Sequence, residues 1–155
     1  MLDTTPEGPI PDPKLSGDEF LLLCREQVPI SKLIGVEVDY FGYDRVDLRA
    51  VFNPDFLRPG GTVSGPIMMT LADAAMYGAV LARLGLIKLA VTTNLSIDFL
   101  RKPAPADVIA SARLLKLGKS LAVGDVFITS AADGKLVARA SSTYAIPPSK
   151  TTTQE

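Results

Sequence analysis

The chain of 155 residues contains no histidine and only one cysteine, Cys24. Without histidine, Ser-His-Asp and Cys-His catalysis, histidine metal sites and imidazole acid–base chemistry are excluded. A single cysteine excludes an internal disulfide and a zinc site built from cysteines, and it is typical of a reducing cytoplasm. Since no histidine can activate its thiol, we interpret Cys24 as core packing rather than a nucleophile. Chemistry must then rest on carboxylates, hydroxyls, backbone dipoles, lysine or arginine, and we expect neither a metal nor a cofactor.

Charge is neither abundant nor concentrated in this sequence. Sixteen Lys and Arg stand against 17 Asp and Glu, and aromatic residues make up 6%. Without a basic block or a set of stacking aromatics, nucleic acid is not an expected partner. The N-terminal residues are acidic and proline-rich, so no signal peptide is predicted. The longest apolar region, residues 67–91, is interrupted by charges and glycine, which favours a buried helix and a strand over a membrane span.

The length suits one domain, which we expect to cover residues 16–148. Four prolines in the first 13 residues predict a disordered N-terminal tail over residues 1–15. The polar end of the chain predicts a second disordered tail over residues 149–155.

Local patterns predict a mixed α+β fold. Ser16 and Glu19 have the spacing of a capping box, so a helix should follow to about Gln27, with a short second helix near residues 29–35. Period-two alternation then predicts strands at 36–38 and 46–52 and, after a glycine-rich loop and a long helix, at 90–100, 107–117, 121–130 and 136–146. Strands joined by short turns pair antiparallel, and one long helix can cover one face of their sheet.

The most informative stretch is a glycine- and proline-rich loop that leads into an apolar helix. Ser64 is a suitable N-cap, and Pro66 suits the first turn, where its missing N–H loses nothing. The helix should run from Pro66 to about Leu84 and is apolar almost all round, as buried helices are. It contains one carboxylate, Asp73, which we expect to be buried or at a buried interface. A buried carboxylate is unfavourable unless it is paired, so Asp73 marks a functional site or a structural hydrogen bond to a neighbouring chain.

These residues resemble the hotdog-fold acyl-CoA thioesterases of the PaaI-like, phenylacetate-degradation type. The resemblance runs from about residue 34 to 146, with Leu71-Ala72-Asp73 matching the family motif and Val91-Thr92 matching its strand opening. It implies an antiparallel sheet wrapped around one long central helix. Two positions differ from the family pattern: Ser64 stands in place of the family histidine, and Arg58 in place of its asparagine.

The resemblance also implies a mechanism. The thioester carbonyl would lie at the start of the central helix, where the Gly65 N–H donates to the developing negative charge. Asp73 would act as a general base on water or as a nucleophile, and Thr92 would orient the water or Asp73. In the family, Asp73 and the helix start belong to different subunits, so we expect a homodimer or homotetramer in the cytoplasm.

Several residues are candidates for substrate binding. Arg58 could pair with Asp73, clamp a substrate carboxylate or phosphate, or remain a solvated loop charge. Ser64 is assigned a substrate contact at the lost histidine position. Tyr77, with Thr70, shares a helical face with Asp73 and could bind its carboxylate, line an acyl channel or serve only structure. The coenzyme A phosphates have candidate partners in Lys102, Lys116 and, above all, Lys119.

Three functions fit these residues to different degrees. The favoured function is hydrolysis of an acyl-CoA to a carboxylic acid and free coenzyme A. The alternative is a protein that binds acyl-CoA with little or no hydrolysis, because the family histidine and asparagine are both replaced. A hotdog hydratase or dehydratase is disfavoured, since those sites normally pair a histidine with a carboxylate.

Overall fold

The computed structural model describes residues 8–149. It contains helices α1 (Gly17–Gln27), α2 (Pro29–Leu33) and α3 (Gly65–Leu84). The predicted capping box begins α1: the Glu19 N–H donates to Ser16 Oγ at 3.1 Å, and the Ser16 N–H donates to Glu19 Oε2 at 2.6 Å. The predicted long helix is confirmed, and it ends where Gly85 takes a φ of +85°, a value that favours glycine.

Eight strands and one short 3₁₀ turn (Pro54–Phe56) complete the described chain. The strands are β1 (Val36–Phe41), β2 (Val46–Ala50), β3 (Leu57–Arg58), β4 (Thr62–Val63), β5 (Val91–Phe99), β6 (Val108–Leu117), β7 (Leu121–Ser130) and β8 (Leu136–Ala145). Six of them form one antiparallel sheet in the order β1-β2-β6-β7-β8-β5, and β3 pairs with β4 in a separate small hairpin. The strand β5 therefore forms one edge of the large sheet.

The sheet packs against α3, and together they form the predicted hotdog fold. The residues of α3 that face the sheet are buried, among them Leu71, Met76 and Leu81. Close approach is possible because β7 has no side chain at Gly124, where a Cβ would lie 2.7 Å from Met76 Sδ. Helix α3 is long and apolar enough to cross a membrane, but more than half of it is buried within the domain, as in the core helix of a globular protein.

Ordered packing begins slightly before the predicted domain boundary at residue 16. The Lys14 N–H donates to the Ala82 carbonyl at 2.8 Å, and the Leu15 side chain is buried in the core. This segment thus fastens the start of α1 to the end of α3. The rest of the two predicted tails falls largely on residues 1–7 and 150–155, which lie outside the described residues.

The Cys24 side chain is part of the core, as expected. It is only 1% exposed, and burial raises the pKa of its thiol from the ordinary value of 9.0 to about 11. At neutral pH the thiol is protonated and a poor nucleophile, because the thiolate is the reactive form.

This shift predicts a loss of stability at alkaline pH. In the unfolded chain the Cys24 thiol loses its proton near pH 9.0, whereas the folded protein retains it up to about pH 11. Between these values the unfolded state binds fewer protons, so the free energy of unfolding falls as the pH rises. From pH 8 to 10.5 the loss due to Cys24 should be on the order of 2 kcal/mol. Denaturant unfolding of wild type and Cys24→Ala at both pH values measures it, and parallel pH dependences would contradict the assignment.

Candidate active site

Asp73 lies in the third turn of α3, on the side that faces β5 and β8. Its carboxylate is half-buried within the single chain, where the sequence predicted a buried position or a buried interface. Thr92 in β5 donates its hydroxyl to Asp73 Oδ1 at 2.6 Å. The Tyr144 hydroxyl in β8 donates to the same oxygen at 2.8 Å, with a weaker branch to the Asp73 carbonyl at 3.1 Å. The structure thus holds the carboxylate with two hydroxyls from adjacent strands.

The register of these strands brings the two hydroxyls together. Thr92 is paired directly with Tyr144 across β5 and β8, and a bulge follows, because Asn94 is paired with Thr143. Thr93 is therefore an extra residue in β5. The bulge shifts the phase of the strand, so that Thr92 lies on the same face as Leu95 rather than the opposite one.

The electrostatic environment keeps Tyr144 a hydrogen-bond donor. Its side chain is 3% exposed, and burial, reinforced by the negative charge of Asp73, raises the pKa of the hydroxyl far above the ordinary value of 10.0. The Tyr144 ring stacks on that of Tyr77, with centroids 6.1 Å apart. A hydroxyl that stays protonated across the physiological range can only donate to the adjacent carboxylate, which stabilises its charged form.

The second oxygen of the Asp73 carboxylate remains available. Among residues 8–149, every hydrogen bond to this carboxylate goes to Oδ1, and Oδ2 is not shielded from solvent. The same part of the chain contains no group of three carboxylate or thiol side chains that could bind a metal ion. The arrangement therefore offers one fixed oxygen and one free oxygen that can accept a proton from water or attack a carbonyl carbon.

Asp73 opens into a cavity of about 270 Å³, which we call the carboxylate cavity. Tyr77 lines it, but its hydroxyl donates to the Lys88 carbonyl at 3.1 Å rather than to Asp73. Thr70 also lines it and donates to the Pro66 carbonyl at 2.9 Å. From the sequence, Tyr77 and Thr70 could either bind the Asp73 carboxylate or line a channel. In the structure both line the cavity, and neither is hydrogen-bonded to the carboxylate.

The start of α3 presents open backbone donors. Ser64 occupies the predicted N-cap position, but its side chain makes no capping bond, which corrects the expectation that it caps the helix. Within the described residues, the N–H groups of Gly65 and Ile67 have no acceptor, and Pro66 between them has no N–H. A Cβ on Gly65 would lie 3.1 Å from the Phe99 ring, so glycine keeps this approach to the backbone open. Open N–H groups at a helix start favour negative charge.

The hairpin of β3 and β4 holds Arg58 beside this helix start. Arg58 is paired with Thr62, and the turn between them contains Gly60 and Gly61 with φ values of +96° and +73°. Only glycine adopts such angles without strain, which explains the paired glycines of the loop. Arg58 is exposed, and together with Gly65 it lines a cavity of about 400 Å³, which we call the helix-start cavity.

The helix-start cavity is basic. Three of its lining residues are cationic, namely Arg58, Arg101 and Lys102, and none of the described residues that line it is acidic. Lys119, by contrast, is exposed in the turn between β6 and β7 and, like Lys116, lines neither the helix-start cavity nor the carboxylate cavity. The predicted phosphate contact thus finds support in placement for Lys102 but not for Lys119.

Within one chain, Gly65 does not meet the other two predicted catalytic residues, Asp73 and Thr92, which are hydrogen-bonded to each other. Gly65 and Asp73 are separated by about 12 Å along α3, at 1.5 Å per residue. In the part of the chain described, the two cavities share no lining residue, and Arg58 forms no ion pair with Asp73. The contact between Arg58 and Asp73 that the sequence left open is therefore absent from the single chain.

The sequence analysis missed Tyr144 and Arg101. Tyr144 is 71 residues away from Asp73, and only the pairing of β5 with β8 brings it to the carboxylate. No local pattern distinguishes it from other strand residues. Arg101 directly precedes Lys102 at the end of β5, and this adjacency was the available signal.

Comparisons with known proteins agree with this architecture. Residues 60–137 match the model of the thioesterase superfamily. The solved structure of a proposed thioesterase from Silicibacter sp. TM1040 is 42% identical, covers 88% of this chain and 95% of that chain, and superposes with a TM-score of 0.80. A proposed esterase of Saccharolobus solfataricus is 33% identical over 138 residues, which is 86% of this chain and 87% of that protein. A variant of the phenylacetic acid degradation protein PaaI from Thermus thermophilus is 27% identical, with a TM-score of 0.68 over 77% of this chain and 99% of that chain.

The hydrogen bond from Tyr144 to Asp73 predicts an unequal effect of two similar substitutions. Tyr144→Phe keeps the stacked ring but removes a donor to a charged group, which should lower the free energy of unfolding by about 1.5–3 kcal/mol. Tyr77→Phe is the matched control, because it removes only a bond to a backbone carbonyl and should lose about 0.5–1.5 kcal/mol. Urea unfolding measures both. Equal losses would show that the Tyr144 bond lacks the assistance of the Asp73 charge.

Proposed function

Because the chain belongs to the thioesterase superfamily, we propose that it hydrolyses acyl-CoA thioesters to a carboxylic acid and free coenzyme A. Thioester hydrolysis is the general activity that the family and its relatives support. The observation that carries the proposal is the Asp73 carboxylate, which two hydroxyls hold by Oδ1 while Oδ2 is open to the carboxylate cavity. An oriented carboxylate with one free oxygen is what hydrolysis without histidine requires.

The basic helix-start cavity supports coenzyme A as the leaving group. Coenzyme A carries several phosphates, and guanidinium groups bind phosphate through two parallel hydrogen bonds. Arg58, Arg101 and Lys102 provide three cations without a lining acid to compete for them. In this proposal Arg58, which replaces the family asparagine, binds an anionic group of the substrate rather than Asp73.

The reaction uses the two open features of the site. The thioester carbonyl oxygen accepts from the Gly65 N–H at the positive end of α3, which stabilises the negative charge of the tetrahedral intermediate. Asp73 Oδ2 removes a proton from a water molecule whose oxygen attacks the carbonyl carbon. The carbon–sulfur bond then breaks, and the departing thiolate takes the proton. The alternative is direct attack by Oδ2, which forms an anhydride that water hydrolyses. Thr92 and Tyr144 hold Asp73 in either case, and Ser64 offers the substrate a hydroxyl.

Two subunits are needed to unite these features. Strand β5 runs along the edge of the sheet, with Thr92 near Asp73 at one end and Phe99 beside Gly65 at the other. Its outer edge has unpaired backbone groups, and Val91 and Phe99 are exposed apolar residues on it. Antiparallel pairing of two β5 edges about a two-fold axis would bring the Thr92 end of one subunit beside the Phe99 end of the other. We therefore propose a homodimer, alone or within a homotetramer, with two shared sites.

A second candidate is a protein that binds acyl-CoA and hydrolyses it slowly or not at all. Its support is the pair of replacements Ser64 and Arg58, which remove two polar groups of the family motif. Either function fits a cytoplasmic location, which the single free thiol also favours.

Activity of the Asp73→Asn variant tests the proposal. The variant keeps the shape of the side chain but cannot accept the proton, so kcat should fall by about 10² to 10⁴. Released thiol measured with octanoyl-CoA and octanoyl-pantetheine provides the rates. The phosphate-free pantetheine thioester should show a raised KM if the basic cavity binds coenzyme A. A wild-type protein that binds octanoyl-CoA without releasing thiol favours the binding function, and an Asp73→Asn variant with wild-type kcat contradicts the catalytic role.

Hybrid dimers test the shared site. Asp73→Asn and Gly65→Val each damage a different half of the site, so each homodimer should be inactive. A hybrid dimer contains one site with both defects and one intact site. Random exchange of equal amounts makes half of the dimers hybrids, so about a quarter of wild-type activity should return on mixing after partial denaturation. Wild type mixed with itself controls for the treatment. No recovery in confirmed hybrids would show that each site lies within one chain.

A further inference from the structure

We propose that the carboxylate cavity is a pocket for apolar acyl groups of medium length, and that the junction of α1 and α2 forms the part of its wall against which the acyl chain packs. This inference rests on the proposed function, because it names the acyl group that the site would accept. It assigns a role in specificity to Val28 and Ile30, which precede residue 60, where the match to the family model begins.

Two parts of the chain form the cavity wall. One is the site itself, with the face of α3 that carries Asp73, Ala74 and Tyr77, and the start of β5. The other is the α1–α2 junction, which contributes Cys24, Val28, Ile30 and Ser31. In this proposal, the group attached to the carbonyl carbon beside Asp73 Oδ2 packs against these junction residues.

The polar groups on the wall are already used within the protein. The Ser31 hydroxyl donates to the Val28 carbonyl at 2.7 Å, and the hydroxyls of Thr70 and Tyr77 each donate to a backbone carbonyl. Thr92 and Tyr144 both donate to Asp73. Each of these hydroxyls therefore already donates its hydrogen bond within the protein and is not a free donor for a polar acyl group. Burying a polar group without a hydrogen-bond partner is unfavourable.

The charges on the cavity wall also favour an apolar acyl group. The cavity lining has one carboxylate, Asp73, and one cationic residue, Lys88, which is exposed and whose carbonyl accepts from Tyr77. The Cys24 thiol is neutral at physiological pH, because burial raises its pKa to about 11. An acyl group that ends in a carboxylate would place that charge against the apolar side chains of Val28 and Ile30, so the pocket should discriminate against it.

The volume limits the length of the acyl group. At ~30 Å³ for each water-sized group, a cavity of about 270 Å³ accepts roughly nine non-hydrogen atoms. That corresponds to an acyl chain of about eight carbons. Shorter chains leave the cavity partly filled, and longer chains extend beyond it.

Binding of unreactive analogues tests the pocket independently of catalysis. The probes are S-alkyl-CoA thioethers from S-ethyl to S-hexadecyl, with S-(7-carboxyheptyl)-CoA as the anionic member, and calorimetry measures Kd. We expect the tightest binding near S-octyl and at least about tenfold weaker binding of the carboxylated chain. Tighter binding of the carboxylated chain, or affinity that keeps rising to S-hexadecyl, would overturn the inference.

Substitutions in α2 test whether the α1–α2 junction forms the wall of the acyl pocket. Ile30 is 52% exposed and lines the cavity, whereas Leu33 in the same helix is 76% exposed and does not. Ile30→Trp should weaken binding of S-octyl-CoA by about tenfold or more and leave S-ethyl-CoA within about twofold, because one methylene in an apolar pocket changes affinity by about 10- to 200-fold. Leu33→Trp, the matched control, should change neither. Ile30→Ala should shift the optimum to longer chains.

The outcomes separate this inference from the proposed function. If the wild-type protein hydrolyses no acyl-CoA but shows the expected chain-length dependence of Kd, the hydrolytic function fails and the pocket stands. If it hydrolyses acyl-CoA but Ile30→Trp and Leu33→Trp affect all chain lengths alike, the function stands and the pocket assignment is wrong.

Discussion

The structure depends on the burial of one helix that is apolar on almost its whole surface. Such a helix is stable only when other elements cover it, and the six-stranded sheet covers α3 as far as Gly124 allows the two to approach. The contact fixes which residues of α3 meet which strands. Asp73 consequently lies opposite the paired Thr92 and Tyr144, while Gly65 emerges at the other end of β5 beside Phe99.

The site divides its work between a fixed and a free oxygen. Holding Oδ1 with two hydroxyls orients the carboxylate without a histidine and without a cation in contact with it. The cations lie instead at the start of α3, where the proposed function places the substrate phosphates, and not beside the proposed base Asp73. This division depends on the distance between the two cavities within one chain, which the second subunit of the proposed dimer would bridge to form a shared site. A soluble ligand that bridges the cavities would thus stabilise the proposed dimer as well as bind to it.

The sequence predicted the fold well, because hydrophobic periodicity and the turns are local signals. The capping box of Ser16, the long helix and the last three strands follow from residues that are neighbours in the chain. The resemblance to a known family added Gly65 and Thr92 as candidates. Tyr144 was not predictable in the same way, since its bond to Asp73 depends on the register of two strands that are distant in sequence.

The contacts of individual polar side chains were also beyond local patterns. Ser64 has the residue type and position of an N-cap but makes no capping bond, and Tyr77 has the right helical spacing from Asp73 but donates to a backbone carbonyl. In both cases the hydrogen-bond partner depends on which groups the folded chain brings close to the hydroxyl, and local spacing does not determine this. Lys119 shows the same limit for charge, because the sequence alone does not tell whether a lysine in a turn lines a cavity.

The bulge at Thr93 has a consequence for how this protein tolerates change in chain length. Strict alternation would put Thr92 on the face opposite Leu95 and Ile97, and the extra residue is what allows one strand to serve both the site and the core. Substitutions at Thr93 leave this phase intact, since the side chain is exposed. A deletion there would restore strict alternation along β5. Either the Thr92 hydroxyl or the apolar side chains of Leu95 and Ile97 would then face solvent. The strand can therefore vary in composition at this point but not in residue count.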